Sequence, residues 1–203
     1  MAKKEIRVVG LAASPRCGGN SETLLDAFLA GAAEAGAQAQ KIVLAERRIA
    51  PCDACESCHV TGRCHHADDV AAIGEQLLSA DIVALATPVY FYSVTTYAKL
   101  LIDRAQVLWA RQEKLGQLRP RRGRGVLLGV AAGSGERLFD GIRLTVKYWM
   151  GTFFTDLVAE RLYHGFDGLG AIAGRVEIVE DAWRLGRELV VEVASESDEL
   201  SGG

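Results

Sequence analysis

The sequence contains no long apolar run. Nowhere do about 18 apolar residues follow one another, as a membrane-spanning helix requires, so no membrane association is expected. A basic excess is also missing: 23 Lys and Arg stand against 26 Asp and Glu, giving a net charge of −3. That balance excludes a broad nucleic-acid surface, which carries the opposite sign. The opening residues Met1-Ala2-Lys3-Lys4-Glu5 lead directly into a strand-like run, without the apolar stretch and small-residue cleavage site of an export signal. A cytoplasmic chain is the expectation. No internal repeat and no inter-domain linker is visible. No G-x-G-x-x-G fingerprint, G-K-[ST] loop, Ser-His-Asp set or carboxylate pair occurs, which leaves no candidate acid–base or nucleophilic catalytic residue. The one basic cluster, Arg119, Arg121, Arg122 and Arg124, reads as a solvated loop or as a dock for an anionic substrate.

The chain does have an apolar fraction of 49% over 203 residues, enough to build a full core in one domain. Short apolar runs alternate with amphipathic stretches. Strands are expected at Ile6–Ala12, Ala39–Leu44, Asp81–Thr87, Val126–Ala132 and Leu157–Leu162. Helices are expected after an Asn20 or Ser21 cap, then at Asp69–Ser79, Thr96–Arg111, Glu136–Phe154 and Val179–Ala194. Alternation of this kind gives an α/β fold, a five-stranded parallel sheet with helices on both faces. The strand order 2-1-3-4-5 suits five strands, and it places ligands at the carboxyl ends of strands 1 and 3, where the winding reverses. The domain is expected to cover residues 1–195, with an insertion at 45–68 and a flexible tail at 196–203.

Two turns fall on that reversal. The first, Ser14-Pro15-Arg16-Cys17-Gly18-Gly19-Asn20-Ser21-Glu22-Thr23, joins a strand to a helix. The start of a helix offers unpaired N–H groups and the positive end of its dipole. Gly18 and Gly19 let the backbone curl around an anion; Ser14, Asn20, Ser21 and Thr23 add donors, and Arg16 adds charge. One terminal phosphate fits this turn, although an ordinary capped polar turn has the same composition. The second turn is Thr87-Pro88-Val89-Tyr90-Phe91-Tyr92-Ser93, whose aromatics can face a flat ligand or pack a loop or subunit contact. A third segment, Gly129–Gly135, is small enough for close backbone approach to a ligand, or is a plain tight turn.

Four of the five cysteines, Cys52, Cys55, Cys58 and Cys64, crowd into thirteen residues with C-x2-C-x2-C-x5-C spacing. Two C-x2-C steps in series fit an iron–sulfur cluster better than zinc, which separates its pairs by a longer loop. Free or redox-active thiols and a zinc site with nearby His59, His65 or His66 are the other readings. Cys17 reads as a small residue of the turn, His164 as a surface histidine, and Lys99, Asp103 and Arg104 as helix or subunit ion pairs.

The pieces GLAASPRCGGNSETLL (10–25), ADIVALATPVYFYSVTTYAKLLIDR (80–104) and VAAGSGE (130–136) resemble the flavodoxin-like NADPH-dependent FMN reductase family over about residues 5–195. The resemblance implies a flavodoxin-like three-layer sandwich that binds FMN and moves electrons from NADPH or NADH to a small-molecule or protein acceptor. It implies that Ser14, Arg16, Asn20 and Ser21, with Gly19 and Thr23, hold the FMN phosphate. It sets Pro88, Val89, Tyr90, Phe91 and Ser93 along the isoalloxazine, and Ala131, Gly133 and Ser134 at its other edge. The cysteine stretch resembles that of the iron–sulfur flavoprotein subgroup, in which four cysteines hold a 4Fe–4S cluster. A homodimer or homotetramer is implied as well. The alternatives to a flavin reductase are a ferredoxin-linked electron-transfer module and a non-enzymatic metal- or redox-sensing domain.

Overall fold

The computed structural model describes residues 5–117 and 122–201. Five parallel strands, β1 (Arg7–Ala12), β2 (Gln38–Val43), β3 (Ile82–Pro88), β4 (Gly123–Ala131) and β5 (Thr155–His164), form one sheet in the order β2-β1-β3-β4-β5. This is the order expected from the sequence. Seven helices connect and flank the strands: α1 (Asn20–Glu34), α2 (Ser57–Thr61), α3 (Val70–Ser79), α4 (Thr96–Arg104), α5 (Gln106–Glu113), α6 (Asp140–Gly151) and α7 (Val176–Ser201). No helix among the described residues is long and apolar enough to cross a membrane.

Strand alternation divides the core into two layers. Val9 and Leu11 of β1, Val83 and Leu85 of β3 and Leu127 of β4 meet α3, α4, α5 and α6 on one face. Val8, Ala12, Ile82, Ala84, Val126 and Leu128 meet α1 and α7 on the other. Close packing of α1 on α7 depends on two glycines. A Cβ on Gly31 would stand 1.9 Å from the Trp183 carbonyl oxygen, and one on Gly186 would stand 2.0 Å from that of Phe28.

Several boundaries differ from those expected. The stretch 96–113 is two helices, broken at Ala105. α6 begins at Asp140 rather than Glu136, because Arg137 takes a positive φ of 60° that no right-handed helix accommodates. β5 is longer than expected and carries a bulge opposite Gly125/Val126 that leaves Val158 unpaired and exposed. α7 runs from Val176 through Ser201, past the expected end at Ala194. Of the basic cluster, Arg119 and Arg121 lie outside the described residues. Arg122 pairs with Asp156, and Arg124 with Glu192 and Glu196, so these two charges are already answered.

Candidate functional site

The first turn is built as the sequence suggests, with roles redistributed. The Ser14 hydroxyl closes it, donating to the Arg16 carbonyl (3.1 Å) and accepting from the Arg16 amide (3.0 Å). Gly18 takes a positive φ of 67°, which only glycine adopts without strain. Its N–H is already engaged, donating to Glu22 at 2.8 Å. Glu22 in turn accepts from Lys41 at 2.9 Å. Burial opposes ionisation of Glu22, but Lys41 and the Gly18 N–H hold its carboxyl below the ordinary range. α1 starts at Asn20 with Gly19 as the cap, so neither Asn20 nor Ser21 caps it. Its first intrahelical bond is Thr23 N–H to the Gly19 carbonyl, 3.0 Å. The amides of Asn20, Ser21 and Glu22 therefore precede the ladder and remain donors for an anion.

The Asn20 side chain is spent on the chain itself. Its Nδ2 donates to the Gly168 carbonyl (2.9 Å) and its Oδ1 accepts from the Ile172 amide (3.0 Å). It thereby fixes the loop after β5, whose Phe166 amide also binds the Ala131 carbonyl at 3.1 Å. Thr95 links the two reversal turns: it is buried, donates to the Ala13 carbonyl (2.7 Å) and accepts from Ala98 N–H at the cap of α4 (3.3 Å). Tyr90 and Ser93 exchange two backbone bonds of 2.9 Å around Phe91 and Tyr92, whose φ values are 49° and 61°. Two positive φ values make this a type I′ turn, built here without glycine and so strained. It thrusts Phe91 fully into solvent.

These elements enclose a cavity of about 100 Å³ at the reversal point. Ser14, Arg16, Gly19, Asn20, Ser21, Pro88, Val89 and Tyr90 line it, together with Val130, Ala132 and the loop residues Phe166–Leu169. Arg16 is exposed at its mouth. Thr23, Phe91, Ser93, Ala131, Gly133 and Ser134 are not among the lining residues. Thr23 spends its hydroxyl on the Gly19 carbonyl, and Ala131 spends its carbonyl on Phe166. The loop after β5 was missed because its glycines gave no sign of folding back across α1; Asn20 is what brings it there.

The second concavity, about 280 Å³, is lined by all four clustered cysteines with Asp53, His59, His66 and Arg104. Ala54 and Glu56, between the first three cysteines, take positive φ values of 57° and 59°, so the loop curls around the hollow. No three of the described thiols lie within 4.8 Å of one another. Burial raises the Cys58 thiol pKa, and Cys64, Cys52 and Cys55 add to the rise.

Arg104 organises this region. It is 2% exposed and donates to Asp68 (2.7 and 3.1 Å), to the Ala50 carbonyl (2.7 Å) and to Cys64 Sγ (3.2 Å). The insertion is thus pinned at both ends; Arg104 does form an ion pair, but with Asp68 of the insertion rather than along the helix or across a subunit face. Its Nε is buried without a partner among the described residues and belongs to a residue lining the cysteine cavity. Lys99 and Asp103 do form the expected helix pair, at 2.7 Å.

The sheet order and the cleft at its reversal point define a flavodoxin-like protein. The family model for NADPH-dependent FMN reductase matches residues 6–152, and the chain belongs to that family. It is 35% identical over 132 residues to an iron–sulfur flavoprotein of Methanocaldococcus jannaschii, covering 64% of this chain and 66% of that protein. An iron–sulfur flavoprotein of Archaeoglobus fulgidus is 28% identical over 144 residues, covering 71% of this chain and 64% of that protein. The chain thus matches just under two thirds of the length of these relatives. Among solved structures, an NAD(P)H:quinone oxidoreductase from Methanothermobacter marburgensis superposes with a TM-score of 0.67 at 21% identity, covering 92% of this chain and 100% of that one.

Proposed function

We propose that the chain binds FMN at the reversal point and passes electrons from NADPH or NADH through it to an acceptor. The observation that carries this reading is the convergence of the Ser14–Ser21 turn and the Pro88–Tyr90 segment on one cleft. The free amides of α1 and the Arg16 guanidinium grip the phosphate. Pro88, Val89 and Tyr90 set the ring edge. Thr95 keeps the two turns in register. When bound, the flavin supplies hydride acceptance and onward electron transfer; the protein supplies position and access. The enclosed volume is below the about 300 Å³ of a typical ligand site, so the outer ring face lies open beside Phe91 and Tyr92. A second copy of the chain, as homodimer or homotetramer, covers it.

The cysteine cavity favours a second component. Cys52, Cys55, Cys58 and Cys64 hold a 4Fe–4S cluster, a one-electron carrier. Arg104, through its bond to Cys64 and its unpartnered Nε, answers the negative charge of the ligated thiolates. The chain then works as an iron–sulfur flavoprotein, with an acceptor able to take single electrons. The test is an anaerobic spectrum with iron and sulfide counted, followed by NADPH addition. Flavin bands that bleach with NADPH, and about four iron per chain, are expected. Flavin without iron removes the cluster, iron without flavin removes the FMN reading, and neither leaves a sensing domain.

A further inference from the structure

Asp53 and His66 line the cysteine cavity, and with His65 they form a group of three ligating side chains to which neither the flavin nor the cluster gives a role. We propose that Asp53, His65 and His66 form a separate divalent-cation site suited to zinc. One carboxylate oxygen and one ring nitrogen of each imidazole all lie within 4.8 Å of one another. His65 Nε2 is 2.8 Å and His66 Nε2 3.7 Å from the same Asp53 oxygen. The two rings face each other with centroids 4.0 Å apart.

A single proton between His65 and Asp53 satisfies that pair only. His66 Nε2 is buried and has no hydrogen-bond partner among the described residues. An unanswered buried polar atom is destabilising. A cation placed among the three atoms satisfies all of them at once. Two imidazole nitrogens and one carboxylate oxygen suit zinc, with a water completing four-coordination. Magnesium and calcium require an oxygen cage, and copper(I) prefers sulfur. The side chains of Asp53, His65 and His66 are 49%, 43% and 26% exposed, so an ion reaches the site from solvent.

The position gives the ion a structural role. Asp53 follows the first clustered cysteine and His65 follows the last, twelve residues on. A cation here fastens the two ends of the cysteine loop and offsets part of the entropy of closing it. The loop is then held open for the thiols to be filled, and neither flavin nor cluster is needed for the ion to bind.

Cobalt(II) is the spectroscopic stand-in for zinc. It should be titrated anaerobically into the full chain, into His65→Ala and His66→Ala, and into a Cys55→Ser/Cys58→Ser variant. The expected first equivalent gives weak visible d–d bands without an intense near-ultraviolet thiolate band, and zinc displaces it. Each histidine variant binds cobalt at least about tenfold more weakly, and the cysteine variant binds it as the wild type does. The proposal is overturned by absence of cobalt binding, by thiolate bands in the first equivalent, or by binding that survives in His66→Ala but disappears in the cysteine variant.

Discussion

Arg104 carries more of this molecule than any other single side chain. Its guanidinium is enclosed with Asp68, whose carboxylate also accepts from the Ala50 (3.0 Å) and Val70 (3.2 Å) amides. Removing one partner of such a pair leaves a buried charge unanswered, at a cost of about 3–5 kcal/mol. Asp68→Asn should therefore lower unfolding stability by roughly that amount in urea titration, and Arg104→Gln should in addition reduce the iron held per chain. The same pair sets an acid limit. Burial opposes ionisation of Asp68, but Arg104 and the two amides hold its carboxyl below the ordinary range. A depressed carboxyl contributes its stability above about pH 4 and loses it as pH falls through the lower folded value. Wild-type stability should decline over that acid window, with a shallower decline in Asp68→Asn. None of this was legible locally. Lys99, Asp103 and Arg104 look alike on the helix surface, and nothing near Arg104 in the sequence points to a partner 36 residues away.

At the scale of elements, what the sequence conveyed best was type and order, because strand alternation and helical periodicity are local signals. The boundaries it missed are set by contacts from elsewhere. The Tyr92 carbonyl packs against Gly141 at the start of α6, and the loop after β5 is drawn across α1 by Asn20. Asn20→Ala should free that loop and weaken FMN binding about tenfold, equivalent to about 1.4 kcal/mol, by fluorescence titration, while the far-ultraviolet dichroism stays unchanged. Gly31 and Gly186 are further positions where one element dictates to another. Gly31→Ala forces a methyl group onto the Trp183 carbonyl and should cost about 1–3 kcal/mol by overpacking, seen as a lower melting temperature. An unchanged melting point would show that α1 and α7 are not packed as closely as described.

For the whole molecule, the first reversal turn was a clear signal, since helix amides, glycines and Arg16 occur together in one short stretch. The sheet order then brought it and the second turn to a single cleft without further assumption. The walls contributed by Val130, Ala132 and the loop after β5 became visible only in the fold, because nothing in their composition marks a ligand. The most direct measurement is a parallel titration of riboflavin 5′-phosphate and riboflavin into the wild-type chain and Arg16→Ala. Gripping of the phosphate at this corner predicts one phosphorylated flavin per chain, with riboflavin bound at least about tenfold more weakly and the preference reduced in Arg16→Ala. Failure of the phosphorylated flavin to associate, or equal affinity for both flavins, would contradict it.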